Sequence, residues 1–340
     1  MGRGDNIMAT GLARDAAARG KRIAFGDGRR ITWDQHSKEI FRGNPNIAPP
    51  GSESNPDLEW IDYRTGHRIY NRLDRARRRW IWNMDFRPVP GELFFNEHEL
   101  AWAAGVGSGF VLMEPNVEAF KTWASNKRWA ADRYDAVATR LAADGAEIVQ
   151  FAHGDHRIRC ARQVRAPSFR HAMAALARAS LYVGPEGGMH HGAAAVGVPG
   201  VVLFGGFIPP DVTGYAGHIN LTGGAKACGS LRTCAHCRAA MDRISVEEVV
   251  SAARQHLKGR GMKERFEFIG NVPEKVRSLV RPELVDWIER EDFPVFGVKT
   301  PLGEVDFCRR PWPPRADMVT TIGSEHDVDE DRLIAWEQTL

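Results

Sequence analysis

The run Val183-Gly-Pro-Glu186-Gly-Gly-Met-His190-His191 places a carboxylate, two imidazoles and two adjacent glycines in one short turn after an apolar strand. Gly187 and Gly188 let the main chain approach a ligand closely. The small-residue helix expected over Met189 to Val196 then aims its free N–H groups and positive dipole end at any anion there. Glu186 and His190 can orient a polar ligand at the same turn. His190 and His191 are helical neighbours about 100° apart, so at most one of them is expected to serve as a metal ligand. Glu114 and Asn116 follow the strand Phe110-Val-Leu-Met113 and fall at the carboxyl edge of the sheet, where an open α/β fold binds its ligands.

Three further groups could do chemistry. Asp5 opens the first helix, where Asp5 or Asn6 serves as the N-cap; a carboxylate so placed can also accept a proton from an attacking hydroxyl. Cys228, Cys234 and Cys237 form Cys-x5-Cys-x2-Cys around His236. Structural metal, local disulfide and free thiols all fit that pattern. Arg72, Arg75, Arg77, Arg78 and Arg79 precede Trp80 and Trp82, a combination suited to an anionic acceptor at a membrane surface or to an exposed helix with mixed contacts.

These residues need a scaffold, and the pattern supplies one. A helix is expected over Asp5 to Gly20, a strand over Lys21 to Phe25, and irregular chain onward to Pro56. A strand or helix pair lies between Leu58 and Met84. From Gly105-Val-Gly-Ser-Gly109 onward strands and helices alternate. The strands are Phe110 to Met113, Ala146 to Ala152, Leu181 to Val183 and Gly200 to Phe204. The helices span Asp132 to Ala143, Ser168 to Arg178 and Ser245 to Leu257, the last with Ser245 and Glu248 spaced as a capping box. Such alternation predicts a parallel sheet covered on both faces. The last 45 residues, rich in proline, read as a wrapping tail with a helix near Asp329 to Leu340.

Composition excludes several classes. The net charge of +3 over 340 residues gives no case for nucleic-acid binding. Five cysteines are too few for a disulfide scaffold. The longest uncharged stretch, Gly187 to Pro210, is broken by glycine and proline and does not read as a membrane helix. A cytoplasmic protein is expected, with peripheral contact at the inner membrane left open.

The 182–206 segment resembles the donor-site motif of the bacterial heptosyltransferases, glycosyltransferase family nine, in which Asp-Thr-Gly-x-x-His precedes an alanine-rich helix, Gly-x-Pro and an apolar strand. Gly187 and His190 match that motif, whereas Pro185-Glu186 stands where the family has Asp-Thr. Asn126-Lys-Arg-Trp129 resembles the family's Lys-x-Trp segment, which implies that Lys127 meets a donor diphosphate. Gly2-Arg-Gly-Asp5-Asn-Ile resembles its opening motif, which implies that Asp5 is the general base. Arg42-Gly-Asn-Pro45 is similar to a further family feature.

The resemblance implies a GT-B fold, with two Rossmann-like domains facing across a cleft and an N-terminal domain that is small or lacks its first strand. The expected divisions are an acceptor-side domain at 1–105, a sugar-nucleotide-binding domain at 106–295, and the tail at 296–340. The implied reaction is inverting, metal-independent transfer from a nucleotide-diphosphate sugar to a hydroxyl of a glycan or glycolipid, without a cofactor. Glu114, Asn116, Lys127, Glu186, Gly187, Gly188 and His190 would hold the donor. The alternatives are a sugar-nucleotide epimerase on the same fold and a non-catalytic sugar-nucleotide binder.

Overall fold

The structure is a computed structural model. It describes residues 2–63, 67–117 and 122–257, together with five strands between residues 265 and 323. The chain divides into a compact unit Met1–Arg260 and a second unit Gly261–Leu340.

The first unit opens with helix α1 (Arg3–Ala17), strand β1 (Arg22–Phe25), helix α2 (Gln35–Ile40) and strand β2 (Leu58–Ile61). β1 and β2 pair in parallel, so the N-terminal α/β part is reduced to one small βαβ unit. A three-stranded antiparallel sheet follows, β3 (His67–Arg68), β4 (Asn71–Asp74) and β5 (Arg79–Trp82), and then helix α3 (Glu97–Val106). The arginine run is therefore the turn and edge of a hairpin rather than an exposed helix. Trp80 and Trp82 are strand formers, and the Arg75–Arg78 turn is closed by Arg78 at φ 48°.

Regular alternation begins at β6 (Val111–Met113), as the sequence predicts. It continues through α4 (Ala131–Ala143), β7 (Ile148–Phe151), β8 (Arg162–Val164), α5 (Phe169–Leu176) and β9 (Leu181–Pro185). Then come α6 (Gly188–Ala195), β10 (Gly200–Leu203), α7 (Pro210–Thr213), β11 (His218–Leu221), α8 (Ala235–Arg243) and α9 (Val246–Leu257). The six strands form one parallel sheet in the order β11-β10-β9-β6-β7-β8. The order reverses between β6 and β9, which is the doubly wound arrangement and its switch point.

Side-chain alternation sorts the two faces. Val111, Met113, Val183, Val201 and Leu203 pack with α4 and α9, whereas Leu112, Tyr182, Val202 and Phe204 pack toward α1, α5 and α6. Strands buried on both faces read as continuous apolar runs, and that is why these segments were legible. The core containing α1 draws on residues from both sides of position 105, including Ile7, Phe25, Leu112 and Met173.

In the second unit, β12 (Arg265–Ile269), β13 (Asp286–Arg290), β14 (Phe293–Thr300), β15 (Gly303–Arg310) and β16 (Val319–Gly323) form a mixed sheet in the order β12-β16-β15-β14-β13. β14, β15 and β16 occupy a stretch read as irregular tail. The alternation in Gly303-Glu-Val-Asp-Phe-Cys308 is a strand signal that the flanking prolines masked. The expected helix near 329–340 lies outside the described residues.

Candidate functional site

The site lies where β6 and β9 end. Glu186 follows β9 directly, and Gly187 is the N-cap of α6 in extended conformation. The turn is tight because Gly184 has no side chain: a Cβ there would meet the Tyr182 hydroxyl at 2.3 Å and the Glu114 carbonyl at 2.8 Å. Glu186 is buried and faces inward to two partners. Lys127 donates from Nζ to its carboxylate, and His191 Nε2 lies 3.4 Å from its other oxygen. Burial alone would raise the pKa of Glu186, but the Lys127 charge and the His191 contact outweigh it and hold the carboxyl well below its usual range. Lys127 ends the 3-10 turn Thr122–Lys127, and its ammonium sits 5.4 Å above the Phe207 ring.

His190 is fully buried, and neither ring nitrogen has a hydrogen-bond partner. It is ringed by His191, Phe204, Tyr215 and His218 at centroid distances of 4.8 to 5.6 Å. Burial and the neighbouring His191 and His218 push its pKa well below the usual imidazole value, so it is neutral. His191 Nδ1 shares a 2.9 Å hydrogen bond with the Tyr215 hydroxyl. The divergence expected of neighbouring helical side chains is overridden here. Both rings tilt inward, and the ligating atoms of Glu186, His190 and His191 lie within 4.8 Å of one another.

Glu114 and Asn116 do different work. Glu114 is buried, accepts the Asn116 N–H at 2.7 Å and pairs with His153 Nε2 at 2.9 Å, and that hydrogen bond raises the His153 pKa. The Asn116 side chain is fully committed to the 153–156 loop. Its Nδ2 donates to the carbonyls of His153 and His156, and its Oδ1 accepts from the His156 N–H. It shapes the rim of the site.

Asp5 comes from the other side of α6. Gly2, not Asp5 or Asn6, is the N-cap of α1; Asp5 is the third helical residue and its Oδ2 accepts the Gly2 N–H at 2.9 Å. A glycine serves adequately at that position, which left the aspartate free for other partners. Arg68 Nη2 donates to Oδ2 at 3.0 Å, the Tyr70 hydroxyl donates to Oδ1, and the Tyr63 hydroxyl donates to the Asp5 carbonyl at 2.9 Å. Arg68 lies 5.1 Å from the Trp80 ring. The amino ends of α1 and α6 touch. A Cβ on Gly4 would fall 2.9 Å from His191 Cδ2 and 3.2 Å from the Gly188 Cα.

Sequence reasoning placed Asp5, Glu114, Lys127, Glu186 and the Gly187–His190 turn, and the fold brings them to one region. It missed Tyr63, Arg68, Tyr70 and Tyr215, and expected only one of His190 and His191 to face the site. Tyr63, Arg68, Tyr70 and Tyr215 lie in loops or short hairpins whose pattern carries no period, so only the tertiary fold could join them to the helix ends.

A doubly wound sheet with a glycine turn, a helix start and an inward lysine at its switch point defines an open α/β protein with the ligand-site geometry of that class. Residues 103–245 match the family model Glycosyltransferase family 9 (heptosyltransferase). No curated protein sequence matches. Among solved structures, E. coli ADP-heptose lipopolysaccharide heptosyltransferase II is 20% identical, with 49% of this chain and 54% of that chain covered at a TM-score of 0.35. The family 9 glycosyl transferase from Veillonella parvula is 15% identical, with 76% and 95% covered at 0.48. E. coli heptosyltransferase WaaC with ADP is 14% identical, with 46% and 47% covered at 0.32. The chain thus spans about half the length of the two E. coli enzymes.

Proposed function

We propose that the protein is a glycosyltransferase that moves a sugar from a nucleotide-diphosphate donor to a hydroxyl of a glycan or glycolipid. The observation that carries this reading is the placement of the Lys127–Glu186 pair at the switch point, against the helix start that bears Asp5. The donor diphosphate takes the place of the Glu186 carboxylate on Lys127, within reach of the α6 amino end. An acceptor hydroxyl attacks the anomeric carbon and its proton passes to Asp5. The bond to the diphosphate oxygen breaks, and the charge left on the nucleotide is balanced by Lys127. Attack opposite the leaving group inverts the anomeric carbon, and Lys127 supplies the charge that a metal ion would otherwise provide.

The E. coli relatives are named for ADP-heptose and for ADP. The Pro185-Glu186 departure from the family motif leaves the sugar itself to a panel of donors. Cytoplasmic placement, with peripheral contact at the inner membrane through the arginine hairpin, fits a glycolipid acceptor. No described helix is long and apolar enough to cross a membrane.

The deciding experiment measures transfer from sugar nucleotides by the wild type, Lys127→Ala and Asp5→Asn. Equal rates in all three overturn the assigned roles. A second reading, a non-catalytic binder, is favoured by one observation: Arg68 and Tyr70 already occupy both Asp5 oxygens. Calorimetric binding of a sugar nucleotide with no transfer to any acceptor extract selects that reading.

A further inference from the structure

Outside the donor site, the densest cluster of ligating side chains is formed by Cys228, Cys234 and Cys237. Cys228 lies in the long connection between β11 and α8, Cys234 is the N-cap of α8, and Cys237 is buried one turn into that helix. Cys228 Sγ is 3.2 Å from Cys237 Sγ and 3.9 Å from Cys234 Sγ, and all three sulfurs lie within 4.8 Å of one another. In a tetrahedral zinc–thiolate centre with Zn–S near 2.3 Å, neighbouring sulfurs stand about 3.8 Å apart. The observed separations bracket that value.

A disulfide uses two sulfurs and leaves the third without a role; three convergent thiols suit a cation. His236 is turned away, with Nε2 bonded to the Lys226 carbonyl at 2.8 Å, so the fourth position is left to water or a small ligand.

The connection that carries Cys228 has no regular secondary structure of its own, and Gly223, Gly224 and Gly229 all adopt positive φ. Yet it seats the donor-site lysine. Buried Asn126 accepts the Cys234 N–H at 2.9 Å and donates to the carbonyls of Ser230 and Arg232 at 3.2 and 2.9 Å. Its neighbour in the chain is Lys127. The same connection pairs with the arginine hairpin, through Trp80 N–H to Gly229 and Leu231 N–H to Arg78.

We propose that Cys228, Cys234 and Cys237 bind one thiophilic divalent cation, with zinc as the physiological candidate, and that this ion fixes the 222–234 connection beneath Asn126 and Lys127. The ion replaces the thiol protons, three thiolates becoming its ligands, with no change of oxidation state. The inference concerns metal content and loop order, so it stands or falls separately from the transferase reading.

The test uses the full chain without a histidine tag, purified under reducing conditions without chelator. Elemental analysis is expected to find close to one zinc per chain, and Cys160→Ser is expected to retain it. Cobalt added to the apo protein is expected to give the intense visible bands of tetrahedral thiolate coordination. Cys234→Ser is expected to lose more than nine-tenths of the bound metal while keeping the far-ultraviolet circular dichroism of the wild type. If that variant fails to fold, alkylation of the wild type decides: zinc is expected to slow modification of the three cysteines by tenfold or more. Equal alkylation with and without zinc, a flat cobalt spectrum, or an intact mass two hydrogens short that maps to a Cys228–Cys237 bridge overturns the proposal.

Discussion

The two halves of the first unit hold their carboxylates by different means. In the doubly wound half, Glu186 is fixed by the main chain at a strand end, by the Gly184 turn and by the sheet beneath it. In the N-terminal half, Asp5 stands at the start of a helix, and side chains from Tyr63, Arg68 and Tyr70 do the holding. The pairings are otherwise alike. Each carboxylate sits at a helix start, each meets one cation from a distant segment, and each cation rests on an aromatic face, Lys127 on Phe207 and Arg68 on Trp80. Trp82 and Phe207 meet edge-on at 6.0 Å and join the two arrangements. A scaffold supplied by backbone tolerates side-chain changes that one supplied by side chains does not.

That contrast can be broken by substitution. The largest effect is expected at Lys127→Ala, with transfer falling roughly 100- to 1000-fold as the leaving diphosphate loses its fixed charge. A steady-state rate within threefold of wild type would remove Lys127 from the donor site. Asp5→Asn is expected to lower transfer roughly 100-fold. Both variants should also destabilise the fold by about 3 kcal/mol, because Lys127→Ala leaves Glu186 and Asp5→Asn leaves Arg68 largely buried without its counter-charge. Chemical denaturation measures the second effect, and a variant as stable as wild type would show that its pair holds nothing. Tyr70→Phe sharpens the comparison. It removes one hydrogen bond to a charged group and is expected to cost about 2 kcal/mol with only a modest loss of rate.

The smallest expected effect is on pH dependence. Burial keeps His190 and His218 neutral, the latter with its pKa pushed down to about 4. Unfolded imidazoles titrate near 6.5, roughly, so the unfolded chain takes up protons that the folded chain refuses. Stability is therefore full above that value and falls as the pH drops from about 6.5 toward 4. Glu186, depressed in the folded state, adds a loss of the same sign at still lower pH. His153 acts oppositely: raised by Glu114, it contributes stability at low pH that is lost as the pH rises through its folded value. Melting temperatures at pH 7.5, 6 and 4.5 or so should decline, and His218→Gln should flatten part of the slope. A level profile would mean that these imidazoles are not buried as described.

How far the sequence revealed this arrangement follows the same division. The apolar runs of β6, β7, β9 and β10 and the glycine turn after β9 state their structure locally, so Glu114 and Glu186 could be placed from pattern, while Lys127 was placed by the resemblance of Asn126-Lys-Arg-Trp129 to the family's segment. The hairpin that holds Asp5 could not, because Arg68 and Tyr70 belong to strands of two to four residues with no repeat long enough to read. That both His190 and His191 turn inward was not legible from helical geometry, which fixes the direction of a Cα–Cβ bond but not the tilt of a ring. The capping of α1 was misassigned for a related reason. A glycine cap leaves no side-chain signature, and the reach of Asp5 back to Gly2 is visible only once the chain is folded.

The meeting of Gly4 and Gly188 also bears on how this region can change over time. A contact between two large side chains can drift, one shrinking as the other grows. Here both partners are already the smallest residue available, so neither can shrink to make room for the other. Enlargement at Gly4 must be absorbed by moving His191 or separating the helices, which would carry Asp5 away from the turn at Glu186, whereas a methyl on Gly188 finds ordinary van der Waals room. The constraint is one-sided: Gly4 is the locked position, and Gly188 is the side from which this contact can change.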